Sequence, residues 1–348
     1  MRHLQADAAP DGALDTGVLA SATTGAARFF VENGGDPDGI FGNAGLDPAA
    51  SADPTRNIKL SAYCRLFETA ARITGNDNIG LWFGQQFQPV ELGLLGYVSI
   101  HSPTMQAALG NLVGLFPFHQ QGTEVSLSRT RDLLSLNYRI FDSRIVNRRQ
   151  DAELSLGMFC NIFRHCYGPG WTPEEIHFEH PKPADWQEHE QAFGAPAFFG
   201  QRANAIVFRD QGLDRPMRTS DPRLLMILRR CLKTVGIQPG TPRTMAEQIK
   251  DHLLKELPDG CPNLEDTSEA LGVPAWTIQR RLADMGLTFK ELVEDTRRQL
   301  AEAYLKQPHL PLTEIAFLLG YSELSAFSRA FHRWTGLSPR EYRQTQLS

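Results

Sequence analysis

The sequence predicts an α+β domain followed by an all-α domain, and three observations carry that division. Runs of alternating apolar and polar residues, such as LLSLNYRIF, occur only in the first two thirds of the chain. Beyond Thr241 no convincing strand pattern recurs. There, two helix-turn-helix patterns flank one long helical run.

The N-terminal stretch MRHLQADAAPDGALDTG is rich in Ala, Gly and Asp with little periodicity, so residues 1–25 are expected to form a flexible tail. It has no apolar core of signal-peptide type, and no run approaches the roughly 18 apolar residues of a membrane span. The expected compartment is the cytoplasm, with no membrane partner. A second loop-like region, Asn33 to Pro54, carries several Gly, Asp and Pro residues. From Ile58 to Ile73 the pattern turns helical, with Leu60, Tyr63, Phe67, Ala70 and Ile73 recurring at i+3 or i+4. HSPTMQAALGNLVGLF opens on Ser102 and Pro103, a cap followed by a first-turn proline.

In LLSLNYRIF, Leu134, Leu136, Tyr138 and Ile140 share one face of a half-buried strand, and TEVSLSR before it makes the hairpin partner. Arg148 to Tyr167 reads as a long helix. EIHFEH and NAIVFR are two further strands, separated by the helical PADWQEHEQAF. The first domain therefore spans 26–215. DRPMRTSDP, a short helix from Arg223 to Val235 and the break GIQPGTP make a linker over 216–241, leaving 242–348 as the second domain.

Within it, NLEDTSEALG, a turn at Gly272-Val273-Pro274 and AWTIQRRLADMG form the first unit, about 262–285. Ile278, Leu282 and Met285 are expected to hold its second helix inward. LTEIAFLLG, a turn at Gly320-Tyr321-Ser322 and a helix held by Phe327, Phe331 and Trp334 form the second, about 312–335. A glycine ends the first helix of each unit, where the left-handed backbone is required. Between them TFKELVEDTRRQLAEAYLKQ reads as one helix, about 288–306, with Thr288 and Glu291 as its capping box. At 1.5 Å per residue it spans about 28 Å, comparable with the roughly 34 Å between major-groove faces on one side of B-DNA. Such a strut would place the second helix of each unit in adjacent grooves.

The net charge of −5 argues against non-specific coating of nucleic acid, but not against a local DNA-binding face. From Pro258 onward ten basic residues stand against twelve acidic ones, but after Leu324 there are four arginines and one glutamate. The run PLTEIAFLLGYSELSAFSRAFHRWTGLSPREYR resembles the signature of the AraC/XylS family of bacterial transcription regulators, and LGVPAWTIQRRLADMGLTFKEL resembles that family's first helix-turn-helix. Upstream, GLDPAASADP, ITGNDNIGLWFG, LGLLGYVSIHSPTMQAAL and EIHFEHPKPADWQEHEQAFG resemble the N-terminal sensor of the branch that includes ornithine-responsive regulators.

The resemblance implies base reading by Trp276, Gln279 and Arg280 in the first unit and by Leu324, Ser325, Ser328 and Arg329 in the second. Arg280 and Arg329 have the fork that recognises guanine, and Gln279 the amide that reads adenine. Leu324 departs from the polar residue often found there, and touches a thymine methyl or packs inward. Arg281, Arg333, Arg340 and Arg343 are expected on phosphates or in local structure. Ser338 and Glu341 should cap a terminal helix whose N–H groups approach a phosphate. The resemblance further implies a small-molecule effector in the N-terminal domain, homodimerisation, and activation through RNA polymerase, with repression as the alternative. AraC itself has a cupin-like sensor, but the helix-rich pattern here argues against that fold.

No catalytic residue, metal site or cofactor is expected. The two histidines of HFEH point to opposite faces of a strand, GNDNIG is a turn rather than a dinucleotide fingerprint, and no G-x-S-x-G or P-loop occurs. Cys160, His165 and Cys166 on one helix read as core, as do Phe116, Phe118, Phe159, Phe163 and Tyr138, so no effector-pocket residue is named. The five cysteines, odd in number and scattered, read as buried free thiols. The competing readings are a protein-interaction module whose helical bundle does not touch DNA, and an enzyme fused to a DNA-binding domain.

Overall fold

The computed structural model describes residues 16–142, 145–238, 244–308 and 310–347. Strand β1 (Gly17–Leu19) is followed by helices α1 (Ala26–Glu32) and α2 (Pro37–Ala44), then by β2 (Asn57–Lys59), which pairs antiparallel with β1. Of the expected tail, residues 1–15 lie outside the described residues. Residues 17–25 are not tail: Val18, Leu19 and Ala20 are buried, fixed by the β1–β2 ladder and by the Leu19 N–H donating to the His119 carbonyl at 2.9 Å. The loop expected over 33–54 also holds a helix, α2. Asp36 caps it by accepting from the Gly39 N–H, Pro37 supplies its first turn, and Ile40 and Phe41 anchor it in the core.

Helix α3 (Leu60–Thr74) buries Leu60, Tyr63, Phe67 and Ala70 as the period predicts, but Ile73 at its end is exposed. Helices α4 (Ile79–Gln86), α5 (Leu94–Ile100) and α6 (Met105–Leu115) follow. The cap of α6 is Thr104, which accepts from the Ala107 N–H, whereas the Ser102 hydroxyl donates back to the Val98 carbonyl. The predicted hairpin forms from β3 (Thr123–Thr130) and β4 (Leu133–Ile140), with Thr123 opposite Ile140. Helix α7 (Arg149–Tyr167) is followed by β5 (Glu175–His177), α8 (Gln187–Phe193), β6 (Ala197–Phe198) and β7 (Asn204–Arg209). The sheet runs β3-β4-β7-β5-β6 and is antiparallel except for β5–β6. Helix α7 is buried for most of its length, and α4 lies directly on it. A Cβ at Gly84 would come within 2.4 Å of the Leu154 carbonyl oxygen, so this approach needs glycine.

Phe116, Tyr138, Phe159 and Phe163 are core, as the sequence suggests. Phe116, Tyr138 and Phe159 meet edge to face with centroids 5.8–6.0 Å apart, and Phe163 stacks on Trp171 at 4.3 Å. Phe118 is only partly buried. Beside that triangle, the buried Tyr138 hydroxyl donates to Asp151 at 2.7 Å. Burial pushes the Asp151 carboxyl up to about 7. Between about pH 4 and 7 it therefore holds more proton in the folded than in the unfolded chain, so its contribution favours the fold at the acid end and is lost as pH rises. Asp151→Asn is expected to flatten the fall in thermal midpoint between about pH 5 and 7.5. An unchanged slope in melts of the variant overturns this.

Helix α9 (Pro222–Val235) was expected in a linker, yet Leu225 and Leu232 are buried and the Ile237 N–H donates to the Phe118 carbonyl at 2.8 Å. These residues belong to the same continuous core as the sheet, so α9 is part of the N-terminal domain. Residues 239–241 of that expected linker, and 242–243 after it, lie outside the described residues. Cys64, Cys160 and Cys166 are buried free thiols as expected, but Cys231 on α9 is exposed and Cys261 partly so.

The C-terminal domain is all helical: α10 (Met245–Glu256), α11 (Leu264–Leu271), α12 (Ala275–Asp284), α13 (Phe289–Leu305), α14 (Leu312–Leu318), α15 (Leu324–Thr335) and α16 (Pro339–Leu347). It has two small cores. Ile249, Leu253, Ile278, Leu282 and Leu292 join α10 and α12 to the start of α13. Leu305, Ile315, Leu319, Phe327 and Phe331 join its end to α14 and α15.

Candidate nucleic-acid interface

Each helix-turn-helix unit is built from a short first helix, a glycine turn and an amphipathic second helix. In the first, Asn263 and Asp266 exchange bonds as a capping box for α11, and Gly272 ends it at φ 61°. In the second, Gly320 adopts φ 73°, and a Cβ there would meet the Leu257 carbonyl oxygen at 2.8 Å. That turn is held by Arg297 of α13, whose guanidinium donates to the Leu319 and Gly320 carbonyls at 2.8 and 3.0 Å and lies over the Tyr321 ring. In the sequence Arg297 reads only as one more basic residue. Its real task is to fasten the second unit to the strut.

Helix α13 begins at the predicted capping box, Thr288 and Glu291, and has 17 residues. It is therefore about 25 Å long, slightly shorter than expected. Mutual hydrogen bonds with Thr288 hold the Glu291 carboxyl below the usual range, and Ser338 does the same for Glu341 at the start of α16. Other acids are also occupied: Glu294 pairs with Arg333 at 3.0 Å, and Asp295 with Lys250 at 3.0 Å and Arg298 at 2.9 Å. The near balance of charge thus conceals a division of labour, since these acids cap or brace while several arginines point outward.

On α12, Ile278 and Leu282 are buried, but Met285, expected to help hold the helix, is 46% exposed because it lies past the helix end. Trp276 is 61% exposed, with the Arg280 guanidinium over its ring at 5.2 Å. Gln279, Arg280 and Arg281 are exposed beside it. On α15, Phe327 and Phe331 are fully buried and Trp334 packs against the same cluster. Ser325 and Arg329 are exposed and Ser328 is partly so. The Ser325 hydroxyl donates to Glu323 at 3.0 Å, while Arg329 makes no ion pair among the described residues. Leu324 is only partly buried and rests on the second core. Of the expected phosphate-binding arginines, Arg281 and Arg340 are exposed and Arg333 bridges to α13. Arg343 is half-buried, with its Nε and one terminal nitrogen unpartnered, and burial lowers its pKa.

In the first domain, HFEH does send its histidines apart: His177 contacts Glu175 at 2.8 Å, and His180, beyond the strand, turns inward. There it joins His189 and Glu153, three ligand-type atoms within 4.8 Å of one another, a grouping that sequence spacing does not reveal. The same Glu153 oxygen also accepts from Arg149 Nε and His189 Nε2, each at 2.7 Å. Positive charge is thus already supplied by the protein.

A family model described as "Arabinose-binding domain of AraC transcription regulator, N-term" matches residues 34–217, more than half of the chain, and one described as "Helix-turn-helix domain" matches residues 267–345. The chain is 27% identical to the ornithine utilization regulator of Pseudomonas aeruginosa over 91% of its own length and 93% of that protein. It is 28% identical to the transcriptional regulator VirS of Mycobacterium tuberculosis, over 95% and 98% respectively. The solved structure of the regulator CdpR from Pseudomonas aeruginosa aligns with 76% of this chain and 86% of its own, at 22% identity and a TM-score of 0.37.

Proposed function

The chain belongs to the AraC family of transcription regulators, and on that premise we propose that α12 and α15 read adjacent major grooves of a promoter under the control of a small molecule. It is a DNA-binding regulator with an N-terminal ligand-binding domain. One observation carries the rest: α12 and α15 both keep an apolar face in a core and leave Trp276, Gln279, Arg280, Ser325 and Arg329 accessible. These, with Ser328, are the base-reading residues, and Leu324 supports the helix while reaching a thymine methyl. Arg281, Arg333 and Arg340 lie on phosphates, as do the N–H groups at the start of α16.

The regulator acts in the cytoplasm, as a homodimer, without catalysis. Among the described residues no helix is long and apolar enough to cross a membrane. Dimerisation uses α9, which buries Leu225 and Leu232 but exposes Met226 and Ile227 on its outer side. The family resemblance supports activation through RNA polymerase. A relative named for ornithine utilization makes small nitrogenous compounds the first effectors to test.

The test is binding to the promoter of a neighbouring operon across a salt series, where absent or salt-insensitive binding by the folded protein overturns the reading. Arg281→Ala is expected to weaken binding equally on matched and mismatched sequences and to reduce the salt slope by about 1. A loss confined to one sequence would make Arg281 a base reader.

A further inference from the structure

Trp276 is the second residue of α12 and is 61% exposed, although the same helix buries Ile278 and Leu282 completely. The exposure follows from the helical period. Ile278 lies two residues on, about 200° round the helix, so holding Ile278 in the core turns the indole outward. Arg280 lies four residues on and is therefore a neighbour on the same face, with its guanidinium carbon 5.2 Å from the ring centroid. Arg280 has no ion pair and no side-chain hydrogen bond among the described residues, so that ring alone restrains it.

A guanidinium over an aromatic face is held through its charge, and its five N–H donors, which lie in its own plane, stay free. The contact limits the rotamers of Arg280 without consuming the fork that a guanine edge requires. A long side chain already restrained in this way loses less freedom when an interface immobilises it. At a mismatched pair an unrestrained arginine swings to a phosphate or to another base, whereas a restrained one loses its contact. Helix α15 provides the contrast. One turn before Arg329 stands Ser325, whose hydroxyl donates to Glu323 at 3.0 Å, and Arg329 has no ring contact or ion pair among the described residues. The two units thus present one restrained arginine and one free arginine.

We propose that Trp276 is a positioning residue, whose indole is the platform that orients Arg280 towards one guanine edge. Resting on the DNA-reading role above, this assigns the contribution of Trp276 to base recognition to Arg280 rather than to a base of its own. It also accounts for an indole that belongs to neither of the two small cores. Because the platform is exposed, its effect falls on sequence discrimination and not on the stability of the fold.

The test is a double-variant cycle with the full chain, on the promoter duplex of the salt-series experiment and on duplexes carrying each single base-pair change in turn. Arg280→Ala should abolish discrimination at one base pair. Trp276→Leu, which keeps apolar bulk without a ring, should lower discrimination at that same pair about three- to tenfold, and Trp276→Tyr should retain most of it. The double variant should bind no more weakly than Arg280→Ala alone, because the platform acts only through the arginine. Melting temperatures should not change, since neither side chain is part of a core. Lost discrimination at a different pair in Trp276→Leu makes the indole a base reader in its own right, and additive losses in the double variant make the two residues independent. Either result overturns the proposal. So does unchanged discrimination in Trp276→Leu, or an equal loss on all sequences in Arg280→Ala. In each of these cases the wild-type chain still binds its promoter in a salt-dependent way and the DNA-reading function stands. Absence of that binding removes both.

Discussion

Phe331→Ala is expected to destabilise the second helix-turn-helix by about 3–5 kcal/mol, the cost of emptying a fully buried aromatic site. Phe331 has no exposed surface, and its ring meets Phe327 at 5.7 Å, Trp334 at 6.3 Å and Tyr342 at 5.3 Å. It is thus where α15 and α16 are joined. The core it fills is small, so few neighbours can move in to close the cavity. The first unit rests on a separate cluster and should stay folded. Amide exchange should therefore rise through α14–α16 while α10–α12 and the sensor keep their protection, and operator binding should fall on every sequence alike. A loss under about 1 kcal/mol would show that the second core collapses around the gap. Uniform exchange over the whole chain would show instead that the two units fold as one.

The parts of this molecule legible in the sequence are those whose signal is local. The long helix α7, the β3–β4 hairpin and the capped strut α13 each carry their period or their cap within about twenty residues, and all three formed where expected. The recognition helices were legible for the same reason, since Phe327 and Phe331 sit one turn apart on one face. What could not be read depended on contacts made elsewhere. Helix α2 is short, with only Ile40, Phe41 and Ala44 to mark its buried face, and α9 reads as a linker because its partners in the sensor lie far away in sequence. Arg297 and Arg343 are plain basic residues in the sequence, yet one fastens a turn and the other is tucked inward. The Glu153, His180 and His189 grouping draws on a helix, a loop and a second helix, so no spacing announces it.

Arg329→Ala tests the interface at the one position where recognition and folding separate most cleanly. The side chain is exposed on α15, its guanidinium makes no ion pair among the described residues, and no core cluster includes it. Truncation should therefore leave the melting temperature nearly unchanged. If Arg329 donates two hydrogen bonds to a guanine edge, its loss should cost about 1–3 kcal/mol on the preferred site, and substitution of that one base pair should no longer matter. The neighbouring Ser325 cannot compensate, because its hydroxyl is short and already engaged with Glu323. Arg333 cannot swing over without giving up Glu294. Arg329→Lys separates the two modes of contact. A lysine retains the charge but not the rigid fork, so most of the loss should persist at a base edge and most should be recovered at a phosphate. Equal weakening on all sequences, with recovery by lysine, would move Arg329 from base reading to the backbone and leave Ser325 and Ser328 to carry the specificity of α15.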